Sequence, residues 1–197
     1  MCARNYGINT APARSPVLYS VPPWPMSGLL HDHGVIIISS SKNVNAMNHE
    51  TYSYSIRGDF LQFQFISEGP RGNITKFIRF QPRISGSISY FNLGFGDYDP
   101  RTDTVDDHAR SNNLDQAKIL ATIAASVLEF THHFPGTFVY ATGSTAARTR
   151  LYQMGIASNW DEIEPLLYVF GFIPGQGWEP FRKNVSYQGF LVKRKKM

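Results

Sequence analysis

From Asp59 onward the chain alternates. Leu61, Phe63 and Phe65 fall on one side and Gln62 and Gln64 on the other, as a strand with one buried face requires. The stretch "SEGPRGN", residues 67–73, has the glycines and proline of a hairpin loop, and a second strand is expected over Ile74–Gln81. A third, opening at Ile88, puts Phe91, Leu93 and Phe95 on one face. The connections are too short for crossover helices, so the three strands are expected to form an antiparallel meander.

The period then changes. Ile119, Leu120, Ile123, Val127, Phe130 and Phe134 recur at helical spacing, with Asn113 as N-cap, Gln116 three residues later in a capping-box arrangement, and Pro135-Gly136 as the stop. "TFVYAT" reads as a strand, and Thr145–Met154 as a helix closed by Gly155, with Ala147, Leu151 and Met154 as its buried stripe. "SNWDEIEP" adds one capped helical turn, and strands near Leu166–Phe172 and Tyr187–Lys193 finish the chain. The predicted fold is a single α+β domain: a meander sheet packed by one long helix, then strand-helix and two closing strands.

Composition refines this picture at the two ends. Residues 1–46 carry Pro12, Pro16, Pro22, Pro23 and Pro25 among small and polar residues with no sustained period. That leader is expected to be unstructured or loosely docked, and the periodic pattern opening at Met47 raises the expectation that translation starts there. The net charge of +4 equals the four positive charges of Lys193, Arg194, Lys195 and Lys196, so the chain without them is neutral, and residues 193–197 read as a basic, solvated tail behind an α+β domain of residues 47–192. Cys2 is the only cysteine, which excludes an intramolecular disulfide and a thiolate metal cluster. The longest early apolar run, Val35–Ile38, is too short for a membrane span or a signal core, and a cytoplasmic protein is expected.

Candidate chemistry concentrates at "YATGSTAARTRLYQMG", residues 140–155. A helix start exposes unpaired N–H groups and partial positive charge, which attract anions. Gly143 permits the close turn; Ser144 or Thr145 can cap the helix or donate a hydroxyl to a ligand. Arg148 and Tyr152, four residues apart, share a face, and arginine suits bidentate contact with phosphate or carboxylate. The alternative is a capped surface helix whose arginines pair with the domain's own carboxylates. Asn112, Asn113 and Asp115 read as helix-capping residues or as contacts to a base or sugar. Asp97, Asp99, Asp103, Asp106, Asp107 and His108 form an acidic cluster without the glycine of a calcium loop, and it reads as a flexible connection or a docking face for Arg148 and Arg150. No metal site and no cofactor are expected. His132 and His133 suit the C-terminal end of the long helix, and the strand-spaced phenylalanines suit the core.

"LGFGDYD", "SNNLDQAKILATIAASVLEF" and "GSTAARTRLYQ" together resemble a bacterial family catalogued only as a domain of unknown function, over residues 47–197. A second, partial resemblance is to the Gcn5-related acetyltransferases, whose later half runs helix, strand, helix ending in Leu-Tyr and a glycine, then two strands. That resemblance implies a coenzyme A pyrophosphate held by backbone amides of a loop before the long helix. The family's Arg/Gln-x-x-Gly-x-Gly/Ala loop is replaced here by "ARSNNLD". The leading expectation is a phosphate-bearing ligand, a nucleotide or nucleic acid, at the helix start of Ser144 to Tyr152. A metal-independent, toxin-like enzyme acting on RNA would use Arg148 and Arg150 on phosphoryl charge and Tyr152 or a nearby histidine to move protons. An acetyltransferase with an altered coenzyme loop and an interaction module without chemistry, engaging a protein partner, are the alternatives.

Overall fold

The computed structural model describes residues 50–196 apart from Gly58, Asp103 and Arg110, together with the backbone strand Ile36–Ile38. Ile36–Ile38 lies within residues 1–46, for which an unstructured or loosely docked leader is expected, and instead pairs with the sheet; the rest of that stretch lies outside the described residues.

The three-strand meander forms as predicted and is extended at its edge by two strands that were not expected, at Ile36–Ile38 and Tyr54–Arg57. Strands β1 (Ile36–Ile38), β2 (Tyr54–Arg57), β3 (Gln62–Gly69), β4 (Gly72–Ser85) and β5 (Ile88–Asp99) pair antiparallel in sequence order. The loop at 67–73 narrows to Pro70-Arg71, because the β3–β4 ladder runs out to Gly69↔Gly72. A short β6 (Thr104–Asp106) folds back on the end of β5. Helix α1 (Gln116–His133) then crosses to β7 (Phe138–Ala141), which lies parallel to β5. Helices α2 (Ala146–Ser158) and α3 (Trp160–Ile163) lead to β8 (Leu167–Ile173), β9 (Gly177–Pro180) and β10 (Gly189–Arg194). The sheet order is β1-β2-β3-β4-β5-β7-β10-β8-β9, with β6 paired to β5.

One face of the sheet is the core. Phe63, Phe65, Ile78, Phe80, Phe91, Val139 and Phe190 alternate inward along their strands and meet the buried stripe of α1. Phe130 is its centre: fully buried, stacked on Phe80 at 4.0 Å and edge-on to Phe91 at 5.0 Å.

Four sequence expectations are corrected. Helix α1 starts at Gln116 with Asp115 as N-cap and no side-chain cap, so Asn113 does not cap it. Leu114 at φ +59° breaks the helical path, and the Asn113 side chain is committed elsewhere. Helix α2 runs through Gly155 to Ser158; instead of closing the helix, Gly155 is buried where a Cβ would sit 3.3 Å from Leu120 Cβ, letting α1 and α2 approach. The stripe Ala147, Leu151 and Met154 is not buried: Ala147 is exposed, Met154 is 52% exposed, and the buried positions are Thr149 and Gly155, with Tyr152 and Ile156 packed on the core. The basic tail is largely part of the domain, since Lys193 and Arg194 belong to β10, Arg194 donates to the Leu128 carbonyl and Lys195 pairs with Glu164.

Phe130→Ala is expected to cost about 3–5 kcal/mol of unfolding free energy by leaving a cavity among rings. Met154→Ala should stay within about 0.5 kcal/mol. Urea denaturation of the two variants measures both, and a large loss at Met154 would restore the discarded stripe.

Candidate functional site

The parallel pairing of β5 and β7 is short. It spans Phe91↔Val139 to Leu93↔Ala141 and stops. Beyond that point β5 continues to Asp99, while the chain after β7 turns into α2. Gly143 makes this turn, because a Cβ there would lie 2.4 Å from the Thr149 amide and 2.5 Å from Arg148 Cβ. Its own N–H donates to Thr149 Oγ1 at 3.0 Å. Thr145 is the N-cap of α2, accepting from the Arg148 amide at 3.3 Å.

Where the strands part lies a cavity of about 490 Å³. The start of α2 forms one wall through Ser144, Thr145, Arg148 and Tyr152, and the segment Ser111–Gln116 with the start of α1 forms another. Phe95, Ile119, Leu120 and Ile123 supply an apolar surface. Two stretches separated by some thirty residues in sequence, and read separately as sites, thus face one space. Asn112, Asn113 and Asp115 line it with Ser144 and Thr145; Gly143 does not, and acts through the turn it permits. Arg150 is exposed and outside the lining.

The segment before α1 is held by Asn113. Its amide nitrogen donates to Ser67 Oγ at 3.0 Å and to the Gly72 carbonyl at 3.0 Å, while its oxygen accepts from the Arg71 amide at 2.9 Å. Asp115 accepts from Ser67 Oγ at 2.6 Å and Tyr52 hydroxyl at 2.8 Å. With Asp115 engaged this way, the first-turn N–H groups of α1 have no side-chain cap. On either side of Asn113, Asn112 and Leu114 take positive φ of +50° and +59°, and Leu114 stands 85% exposed at the cavity edge. Such strain persists where the surroundings fix it, and here the Asn113 bonds do so.

Lys76, which sequence reasoning passed over, forms the floor. It is 1% exposed, its ammonium pairs with its cross-strand neighbour Asp97 and donates to Ser111 Oγ at 2.6 Å. The signal available was a lysine at an inward strand position, in register with Ile78 and Phe80. Arg148 donates to the Ala109 carbonyl and to Ser144 Oγ at 3.4 Å, and Ser144 in turn donates to the Asp107 carbonyl at 2.9 Å. The end of the acidic loop does dock here, on Arg148 through the Ala109 carbonyl and on Ser144 through the Asp107 carbonyl, and not through carboxylates. Burial, with Asp107 nearby and Arg148 opposing, pushes the Tyr152 phenol up to about 12. At neutral pH Tyr152 is therefore an un-ionised hydrogen-bond donor and a poor proton acceptor. His133 is away from this cavity, stacked on Phe60 and paired with Glu129 at 3.0 Å at the end of α1.

The fold and cavity define a single-domain α+β protein with one helical layer and a cleft at the parting of a parallel strand pair. The chain belongs to the Family of unknown function (DUF6934), whose model matches residues 48–195. No curated protein and no solved structure matches it. Among the described residues no helix is long and apolar enough to cross a membrane, and no three His, Cys, Asp or Glu side chains group to hold a metal ion.

Asp97→Asn is expected to cost about 3 kcal/mol by leaving a buried ammonium without its carboxylate, whereas the double change Lys76→Met, Asp97→Leu should recover most of that loss. Denaturation curves of the three proteins test this. Burial also pushes the Tyr54 phenol up to about 12. The unfolded chain releases these protons near pH 10, before the folded chain does. Stability should thus be full below about pH 10 and fall as pH rises toward about 12, with a shallower fall in Tyr152→Phe.

Proposed function

We propose that this protein binds a phosphate-bearing nucleotide ligand in the cavity between the parted strands β5 and β7. The observation that carries the reading is that two helix starts, α1 without a side-chain cap and α2 with Arg148 in its first turn, open into one cavity. Unpaired N–H groups and the positive ends of two helix dipoles favour an anionic group there. Arg148 uses two of its three guanidinium nitrogens, Nη1 on Ser144 and Nη2 on Ala109, which fixes the guanidinium at the cavity wall with N–H donors to spare. The apolar wall of Phe95, Ile119 and Leu120 suits the non-phosphate part of such a ligand. An RNA-cleaving role has less support, because Arg150 is outside the lining and Tyr152 stays protonated, which leaves His108 of the lining as its one histidine for proton transfer. Binding is therefore the function we infer, ahead of phosphodiester chemistry.

A second reading, an acyltransferase with an altered coenzyme loop, is favoured by one observation. With the short α3 and β9 set aside, the succession α1, β7, α2, β8, β10 follows the element order of the Gcn5-related enzymes, and the segment before α1 lines the cavity where that family's loop would hold pyrophosphate. Fold order alone does not establish activity.

A thermal-shift panel with ADP, ATP, coenzyme A and acetyl-coenzyme A distinguishes these readings. A bound nucleotide at about 100 times its Kd adds ~2.7 kcal/mol, several degrees for a domain of this size. The shift should vanish in Arg148→Ala, and a shift confined to the coenzyme A pair would favour the second reading. No shift with any of the four, beside a lowered melting point in Arg148→Ala, would contradict both and leave a structural arginine in an interaction module.

A further inference from the structure

Helices α1 and α2 cover one face of the sheet; alternation fixes what the other face carries. Across β5, β7, β9 and β8 that face bears Tyr90, Tyr140, Trp178 and Phe172 in a continuous row. Ring centroids are 6.0 Å apart between Tyr90 and Tyr140, 6.2 Å between Tyr140 and Trp178, and 5.2 Å between Trp178 and Phe172. Cross-strand register confirms the shared face: Asn92 pairs with Tyr140, Tyr140 with Leu191, and Phe172 with Trp178. Trp178 is 45% exposed and lies on the edge strand.

From β4 to β9 the charges on this face have one sign, the nearest carboxylate on it being Glu68 of β3. Arg79 and Arg83 of β4 and Lys193 of β10 point the same way as the aromatic row, since Arg83 pairs with Tyr90 and Lys193 with Phe138 and Tyr168. From β4 through β9, the described strand positions of that face include no aspartate or glutamate. None of the three cations forms a salt bridge among the described residues, and Arg79 Nε is buried without a hydrogen-bond partner. Arg79 lies over the Phe77 ring at 5.4 Å and Lys193 over Phe138 at 4.6 Å, so each is held by an aromatic, with no carboxylate partner among the described residues.

We propose that this open face is a platform for single-stranded nucleic acid, with bases stacking along the Tyr90 to Trp178 row and phosphates meeting Arg79, Arg83 and Lys193. Rings of mixed orientation beside unpaired cations fit a strand whose every base has a π-face and whose every link is an anion. A second copy of this chain fits poorly. A two-fold contact centred on the aromatic row would oppose the cations to themselves, with no carboxylate at the described positions of β4 through β9 to relieve them. The platform is on the side of the sheet opposite the Arg148 cavity, so it neither needs nor implies the nucleotide site.

The test is fluorescence anisotropy of labelled short oligouridine and oligothymidine titrated with the full chain, for wild type, Trp178→Ala, Arg83→Glu with Lys193→Glu, and Arg148→Ala. Melting curves check that each is folded. Trp178→Ala should weaken binding by about tenfold, within the range of one lost stacking contact. Three phosphate contacts predict a loss of roughly 20-fold between about 50 and about 200 mM salt, largely abolished in the double charge reversal. Arg148→Ala should bind like wild type. The proposal is overturned by absence of binding at low salt, by a folded Trp178→Ala that binds unchanged, by loss of binding in Arg148→Ala alone, or by self-association that Trp178→Ala abolishes.

Discussion

The three-residue parallel ladder between β5 and β7 is the constraint on which the rest of the molecule turns. Both strands pair antiparallel with their other neighbours, β4 and β10, over longer runs. Between them the ladder lasts only from Phe91↔Val139 to Leu93↔Ala141. After it, β5 must find another partner and takes β6, while the chain leaving β7 must turn sharply and does so at Gly143. The gap left behind cannot be filled by sheet. It is walled by the two helix starts, which bring unpaired backbone donors to the place where strand pairing fails.

Keeping that gap open has an energetic cost, and the buried polar groups around it show how it is met. The ammonium of Lys76 is out of water and is tolerated because Asp97 lies directly across the ladder and Ser111 accepts a second bond. Asn113 uses both ends of its amide to tie the segment before α1 to the β3–β4 turn, which holds Asn112 and Leu114 in left-handed backbone. Cavity shape is thereby coupled to the far end of the meander, and a change at Ser67 or Gly72 would be felt at the start of α1.

Much of this was legible in the sequence, for identifiable reasons. Alternation in 61–65 and 88–95 and the helical period of 119–134 are strong because one face of each element is buried. A cap at Ser144 or Thr145 was legible from their place between a glycine turn and a helix, and Thr145 is the one that takes it. Asn113 carried the same cap signature and did something else, since local spacing cannot see that Ser67 and Gly72 lie within reach. The short strands β1, β2, β6 and β9 escaped notice because three or four residues hold no period, and the buried face of α2 was misjudged because Tyr152, Gly155 and Ile156 pack inward while Met154 is exposed and Leu151 lines the cavity. The convergence of the 112–115 and 144–152 stretches is a tertiary fact. Lys76 is another: a lone inward lysine reads as an exception until its partner across the strand is known.

Hydrogen–deuterium exchange with and without a saturating nucleotide tests the central claim most directly. The account predicts joint protection of the amides of Gln116–Lys118 and Ala146–Arg148, the two helix starts that share the cavity, with β8 and β9 unchanged. A nucleotide that binds and protects neither start, or protects β8 and β9 instead, would contradict it.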